Sequence, residues 1–167
     1  AGAVPTFMGN AHPSISPYEV FATADRPLIL AVGNDGQFVR LMEVLGAPEV
    51  AQDPRFATNA ARVTARAELV PLIERLLAAR GADVWQDAIT AAGVPCGPIN
   101  DIGQGFALAD RLGLDPIVEV PDDRRPAPAR QVANPVRYSA TPPQYRSAPP
   151  QVDEDRAAVL ALLEDRA

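Results

Sequence analysis

Few residues of this chain carry chemistry, and their spacing limits what they can do. The single histidine, His12, stands beside Ser14 and Ser16, and the single cysteine, Cys96, lies far along the chain. A serine nucleophile of the usual hydrolase kind sits in a Gly-x-Ser-x-Gly elbow, and no such elbow occurs. A dyad of Cys96 with the distant His12 would depend wholly on folding, so Cys96 reads first as a small residue buried in a turn. One His and one Cys cannot build the three- or four-ligand N/S set, roughly, that a zinc-type site requires. The pair Gly103 and Gly105 lacks the third glycine and the preceding strand of a dinucleotide fingerprint, and no phosphate-loop pattern is present. Arg124 and Arg125 read as a solvated turn.

Two segments resist dismissal. The first, Gly9-Asn10-Ala11-His12-Pro13-Ser14-Ile15-Ser16-Pro17-Tyr18, is polar, turn-rich and free of acidic and basic side chains apart from His12. It is either an entry linker or a loop whose backbone approaches a ligand closely. The second, Val32-Gly33-Asn34-Asp35-Gly36-Gln37-Phe38, passes from a strand into a helix N-terminus. Asp35 there is either a helix cap or a carboxylate facing a cleft.

These segments need a scaffold, and 167 residues is about one domain's worth. Residues 19–24 and 28–32 flank a short Asp25-Arg26-Pro27 turn and read as a β-hairpin. Asn34 or Asp35 opens a helix with Phe38, Leu41, Met42 and Leu45 on one face, closed by Gly46. A longer helix spans about 65–80, with Leu69, Leu72, Ile73, Leu76 and Leu77 on one side; Pro71 near its start marks a kink or a later first turn. Asp83 caps a helix bearing Val84, Trp85, Ala88 and Ile89. Prolines make 94–99 extended, Asn100 or Asp101 opens a helix to about 112, and 117–120 reads as a strand. A further strand is expected within 130–139 and an amphipathic helix over 153–165. The compact body should run over 18–121.

Nine of the 18 prolines lie between Pro116 and Pro150, so 122–167 reads as an extended strap ending in that helix. All 15 basic residues are Arg, and 30 residues are Ala, a bias expected of a high-GC genome. A formal net charge of −6 argues against nucleic-acid and anionic-membrane partners. No apolar run approaches the roughly 18 residues of a membrane span, and the N-terminus lacks signal-peptide regions. The expected setting is the cytoplasm. The chain begins without Met, which fits a processed or truncated piece.

Together the segments resemble the C-terminal part of the class III CoA-transferase (CaiB/BaiF) family, which includes formyl-CoA transferase, carnitine CoA-transferase and α-methylacyl-CoA racemase. The resemblance rests on Gly9-Asn10-x-His12-Pro13-x-Ile15-x-Pro17-Tyr18 and Ala31-Val32-Gly33-Asn34-Asp35-x-Gln37-Phe38. It extends to Asp53-Pro54-Arg55-Phe56-x-Thr58-Asn59 with Arg62, and to Ala92-Gly93-Val94-Pro95-Cys96-Gly97-Pro98-Ile99-Asn100. Asn134-Pro135-Val136-Arg137 and Ala148-Pro149-Pro150 add to it.

The resemblance implies an α+β fold: the small domain of the family at 18–121, entered by a linker at 1–17, with 122–167 returning to a large Rossmann-like domain that precedes this region. It implies an interlocked homodimer when the protein is full-length. It also implies transfer of CoA from an acyl-CoA to a small carboxylic acid through an aspartyl intermediate, with CoA as substrate, no covalently bound cofactor and no metal. The nucleophilic aspartate is expected upstream, so no catalytic residue is assigned in this chain. Gly9, Asn10, Ala11 and His12 are the expected wall near the acyl end of CoA, joined by Asn34 and Asp35. Formyl-CoA transferase has a glycine-rich lid where this chain has His12 to Pro17, so a stiffer wall is expected here. The racemase branch carries a Glu where this chain has Asp35 on a loop one residue shorter, which favours a transferase. A racemase-like member and a free-standing α+β binding module are the alternatives.

Overall fold

The computed structural model describes residues 7–164. Two compact units divide at Ile99/Asn100, the first being Ala1–Ile99 and the second Asn100–Ala167. The division falls earlier in the chain than 121/122.

In the first unit, strands β1 (Tyr18–Phe21) and β2 (Leu28–Ala31) form the hairpin, with Tyr18 opposite Ala31 and Phe21 opposite Leu28. Strand β3 (Cys96–Pro98) adds antiparallel to the other edge of β2, giving the order β1-β2-β3. β2 alternates buried Leu28 and Leu30 with half-buried Ile29 and Ala31, as a strand with one face on a core requires. Helix α1 (Asp35–Val44) begins at Asn34, whose side chain accepts the Gln37 N–H at 2.9 Å, and it buries Phe38, Leu41 and Met42. A 3₁₀ turn at Pro48–Gln52 and a short helix α2 (Asn59–Thr64), capped by Thr58, follow; neither was expected. The Ala-rich α2 carries a fully buried Arg62 in place of an apolar stripe, so periodicity offered no signal for it.

Helix α3 (Arg66–Leu77) starts where expected and continues through Pro71, which is exposed and inside the helix rather than at a later start. Leu69, Ile73 and Leu77 are buried, and α3 packs on β1. Helix α4 (Ala82–Ala91) buries Ala82, Trp85 and Ile89. Its cap corrects the expectation for Asp83, which is the second helical residue and pairs instead with Arg26. Asp25, from the hairpin connection, accepts the Ala82 N–H at 2.8 Å. Trp85 donates its indole N–H to the Leu77 carbonyl at 2.7 Å. The core of this unit joins Phe21, Leu28 and Leu30 of the sheet, and Val32 just after β2, to these helix faces.

In the second unit, α5 (Ile102–Arg111) opens with a capping box in which Asp101 accepts the Gln104 N–H and Gln104 accepts the Asp101 N–H. Strand β4 (Ile117–Val120) pairs antiparallel with β5 (Ala129–Val132). The expected 130–139 strand is thus shorter and earlier, because Pro135 has no N–H to continue the ladder. Helix α6 (Arg156–Glu164) starts later than expected; residues 165–167 lie outside the described residues. Within this unit Val120 and Ala148 are the described buried apolar residues, and α5 and α6 bury none. Arg124 and Arg125 are not a free solvated turn: both pair with Asp122 and with Glu154 just before α6. The fold is α+β, with small antiparallel sheets and short helices.

Candidate functional site

The loop before β1 is held by its own polar groups at one end. Asn10 accepts the Val20 N–H through its side-chain oxygen at 2.8 Å, and the His12 N–H donates to the Tyr18 carbonyl at 2.9 Å. The His12 ring stacks on Tyr18, with centroids 5.2 Å apart and planes 18° from parallel. His12 Nδ1 accepts the Ser14 N–H at 3.2 Å. Gly9 adopts φ +62°, a left-handed conformation that favours glycine. Ala11 contributes a backbone turn, its N–H donating to the Met8 carbonyl.

The other end is gripped by side chains of α2 and α3. Asn59 accepts the Ser16 N–H at 3.1 Å and donates to the Ser14 carbonyl at 2.8 Å. Arg62, fully buried, donates from Nε to the Ser16 carbonyl at 2.7 Å and from Nη1 to the Phe56 carbonyl at 2.9 Å. Arg66 Nη2 donates to the His12 and Ile15 carbonyls at 2.5 and 2.8 Å. Positions 59, 62 and 66 recur at helical spacing, so one side of α2 and the start of α3 faces the loop. Asn59 and Arg62 belong to the family-like motif but carried no assigned role, and Arg66 was missed. Polar residues at this spacing in an Ala-rich stretch were the available signal.

The second segment meets the same guanidinium. Asp35 Oδ1 accepts from Arg62 Nη2 at 2.7 Å, and Arg62 also lies over the Phe38 ring at 4.4 Å. A buried charge must be paired and hydrogen-bonded, and Arg62 meets that condition with three acceptors from three segments. Asp35 is therefore the counter-charge of Arg62 at the first residue of α1, and Asn34 is the cap. The Gln37 side chain closes the turn, accepting the Gly33 N–H at 2.7 Å. Asn10, His12, Asn34 and Asp35 thus all belong to the first unit, and Arg62 joins Asp35 to the loop through Ser16.

Two further groups are shifted by burial. Glu19 lies 3.7 Å from Arg66, and burial raises its carboxyl from the ordinary value despite that neighbour. Burial also pushes the Cys96 thiol up; its sulfur lies near Thr90 Oγ1 at 3.6 Å and the Gln86 carbonyl at 3.8 Å. Raised in this way, Cys96 has little thiolate to offer, and its described partners do not include His12. Among the described residues, no group of three or more His, Cys, Asp or Glu could hold a metal ion.

The profile of CoA-transferase family III matches residues 1–156. The chain belongs to that family. Among relatives of this CoA-transferase family III chain, the succinate–glutarate CoA-transferase of Agrobacterium fabrum is 51% identical over 108 residues, covering 64% of this chain and 27% of that protein. The acetyl-CoA:oxalate CoA-transferase of Acetobacter aceti is 36% identical over 118 residues, covering 71% of this chain and 30% of the relative. The crystal structure of a CAIB/BAIF family protein from Brucella suis superposes with a TM-score of 0.80 at 36% identity, covering 98% of this chain and 42% of that one. The chain thus spans less than a third of the length of these two enzymes.

Proposed function

We propose that this chain is the C-terminal part of a CoA-transferase that moves CoA between carboxylic acids through an enzyme-bound aspartyl intermediate. The observation that carries the reading is the 51% identity to an enzyme named for succinate and glutarate, within a family match over nearly the whole chain. A carboxylate attacks the acyl-CoA thioester, the C–S bond breaks, and a mixed anhydride and CoA thiolate form. The thiolate attacks the enzyme's carbonyl, releasing the first acid as carboxylate and leaving an enzyme–CoA thioester. The incoming acid reverses these steps, so no metal or bound cofactor is needed and thioester energy is conserved. The nucleophilic aspartate belongs to a large Rossmann-like domain upstream, and this chain is catalytically incomplete alone.

In this reading 18–121 is the small domain, 1–17 the linker into it, and 122–167 the strap returning to the large domain of an interlocked cytoplasmic homodimer. Gly9, Asn10, Ala11, His12, Asn34 and Asp35 form the wall near the acyl end of CoA. A loop held by Asn59, Arg62 and Arg66 suits a fixed wall that keeps water from an anhydride. The racemase alternative is disfavoured because Asp35 is shorter than the Glu of that branch and its Oδ1 already accepts from Arg62.

The test is transfer of CoA from succinyl-CoA to small dicarboxylic acids by the protein encoded by the whole reading frame, beside the 167-residue chain alone. Transfer by the former and none by the latter is expected. No transfer by the whole protein, or no upstream aspartate whose replacement abolishes it, would overturn the reading in favour of a binding module.

A further inference from the structure

The loop geometry fixes more than the path of the backbone. A backbone N–H can donate only to a lone pair, so the Ser14 N–H on His12 Nδ1 requires that nitrogen to be unprotonated when the imidazole is neutral. The ring proton then sits on Nε2, the hydrogen bond described for the ring being the one on Nδ1. Stacking on Tyr18 sets the ring plane, and the ring is partly exposed. His12, a partly exposed residue, therefore carries an Nε2–H donor whose tautomer is set by the Ser14 N–H and whose ring plane is set by Tyr18.

What holds this arrangement is the polar grip from α2 and α3. Arg66 Nη2 takes the His12 and Ile15 carbonyls, which bracket the turn that carries Ser14. Asn59 takes the Ser14 carbonyl and Ser16 N–H, fixing the peptide groups on both sides of Ile15. Arg62 takes the Ser16 carbonyl from inside the core. These contacts hold the His12, Ser14, Ile15 and Ser16 carbonyls and the Ser16 N–H, the backbone on both sides of the Ser14 N–H that donates to Nδ1.

We propose that Asn59, Arg62 and Arg66 are positioning residues that lock His12 as an Nε2–H donor toward an oxygen of the acyl group carried by CoA. The proposal rests on the functional reading above for the identity of the acceptor. The lock itself stands on the loop geometry. A donor fixed before substrate arrives needs no reorganisation when charge develops on a carbonyl oxygen, which is where such a group contributes most. Arg66 acts through His12 and touches no reacting atom.

The test uses the whole protein labelled with ¹⁵N-histidine, with the His12 signal assigned by its loss in His12→Gln. At about pH 8 the expected ring nitrogens are those of a single Nε2–H tautomer. In Arg66→Met the expected result is a mixture of tautomers with a fall of about tenfold or more in kcat/KM per folded molecule. Arg66→Lys, which keeps a cationic N–H donor on a long side chain beside the two carbonyls, should recover part of that loss. His12→Gln places an amide N–H near the position of Nε2 and should retain more activity than His12→Ala. Should Arg66→Met not fold, Asn59→Ala gives the same comparison with less disturbance. An Nδ1–H or averaged tautomer in the parent would overturn the proposal, as would a kcat/KM within about twofold of the parent in a variant whose tautomers mix. A parent without CoA transfer sinks the functional reading instead, and the tautomer comparison between parent and variants still decides the lock.

Discussion

Arg62 and Asp35 form an ion pair of 2.7 Å in which the guanidinium is wholly buried and the carboxylate is 54% exposed. The asymmetry sets what each residue does. Arg62 ties the interior of α2 to the entry loop and to α1, whereas Asp35 keeps contact with water and supplies the counter-charge at low desolvation cost.

Replacing Arg62 by Met should therefore hurt far more than replacing Asp35 by Asn. The first strands the Ser16 and Phe56 carbonyls and should cost about 3 kcal/mol. The second keeps an oxygen that accepts from Nη2 and should cost about 1 kcal/mol. Urea unfolding followed by the single tryptophan, Trp85, which is 3% exposed, reads both. Equal losses would contradict the hub.

Gly81 offers a second test. A Cβ there would lie 2.8 Å from Asp25 Oδ2 and 3.0 Å from its Cγ. Asp25 cannot swing away freely, because it also accepts from Thr23 Oγ1 and the Ala82 and Arg26 N–H groups. Gly81→Ala should cost about 1–2 kcal/mol by displacing the cap of α4. Combined with Asp25→Ala the loss should be smaller than the sum of the two, measured by a double-mutant cycle.

Acid stability should depend on Asp25 with a definite sign. The Ala82 N–H bond, followed by those from Thr23 and Arg26, holds its carboxyl below the ordinary value of 3.8. Its contribution is complete above that value and is lost as pH falls through the lower folded one. Asp25→Asn should flatten this acid limb. Glu19 has the opposite sign: burial raises its carboxyl, so the folded state is relieved as pH falls into the carboxylate range. Glu19→Gln should raise the urea midpoint at neutral pH, with the gain vanishing in acid.

Cys96 should be inert. With burial holding the thiol pKa up, its reaction with a disulfide reagent at neutral pH should run about tenfold or more slower in the folded chain than in urea. A rate as fast as in urea would reopen the nucleophile reading.

The leucines of α6 should matter little to the folding of this chain. Leu160 and Leu163 are 48% and 62% exposed, so Leu160→Ser and Leu163→Ser should each change stability by about 0.5 kcal/mol or less. In the whole protein, where the proposed large domain would cover them, the same changes should disrupt assembly, as seen by size-exclusion chromatography with light scattering.

Much of this fold was legible because its causes are local. The hairpin, α1 with Leu41 and Met42 one turn from Phe38, and α5 after Asp101 depend on patterns that repeat or pair within a few residues. The α+β class and the family could be read from motifs kept in order along the chain. Tertiary structure alone decided the cap of α4, where the acceptor for Ala82 comes from Asp25 rather than from Asp83 nearby. It likewise decided the fate of Arg62, a residue that composition would leave on the surface, and of Arg66, whose acceptors are backbone carbonyls with no side-chain signature. The sparse chemistry of the sequence, one histidine among turn residues, was plain from the start. Its Nδ1 is occupied by the nearby Ser14 N–H, a local contact. That its loop is gripped from α2 and α3 follows from contacts between segments far apart in the chain, which only the folded backbone brings within hydrogen-bonding distance.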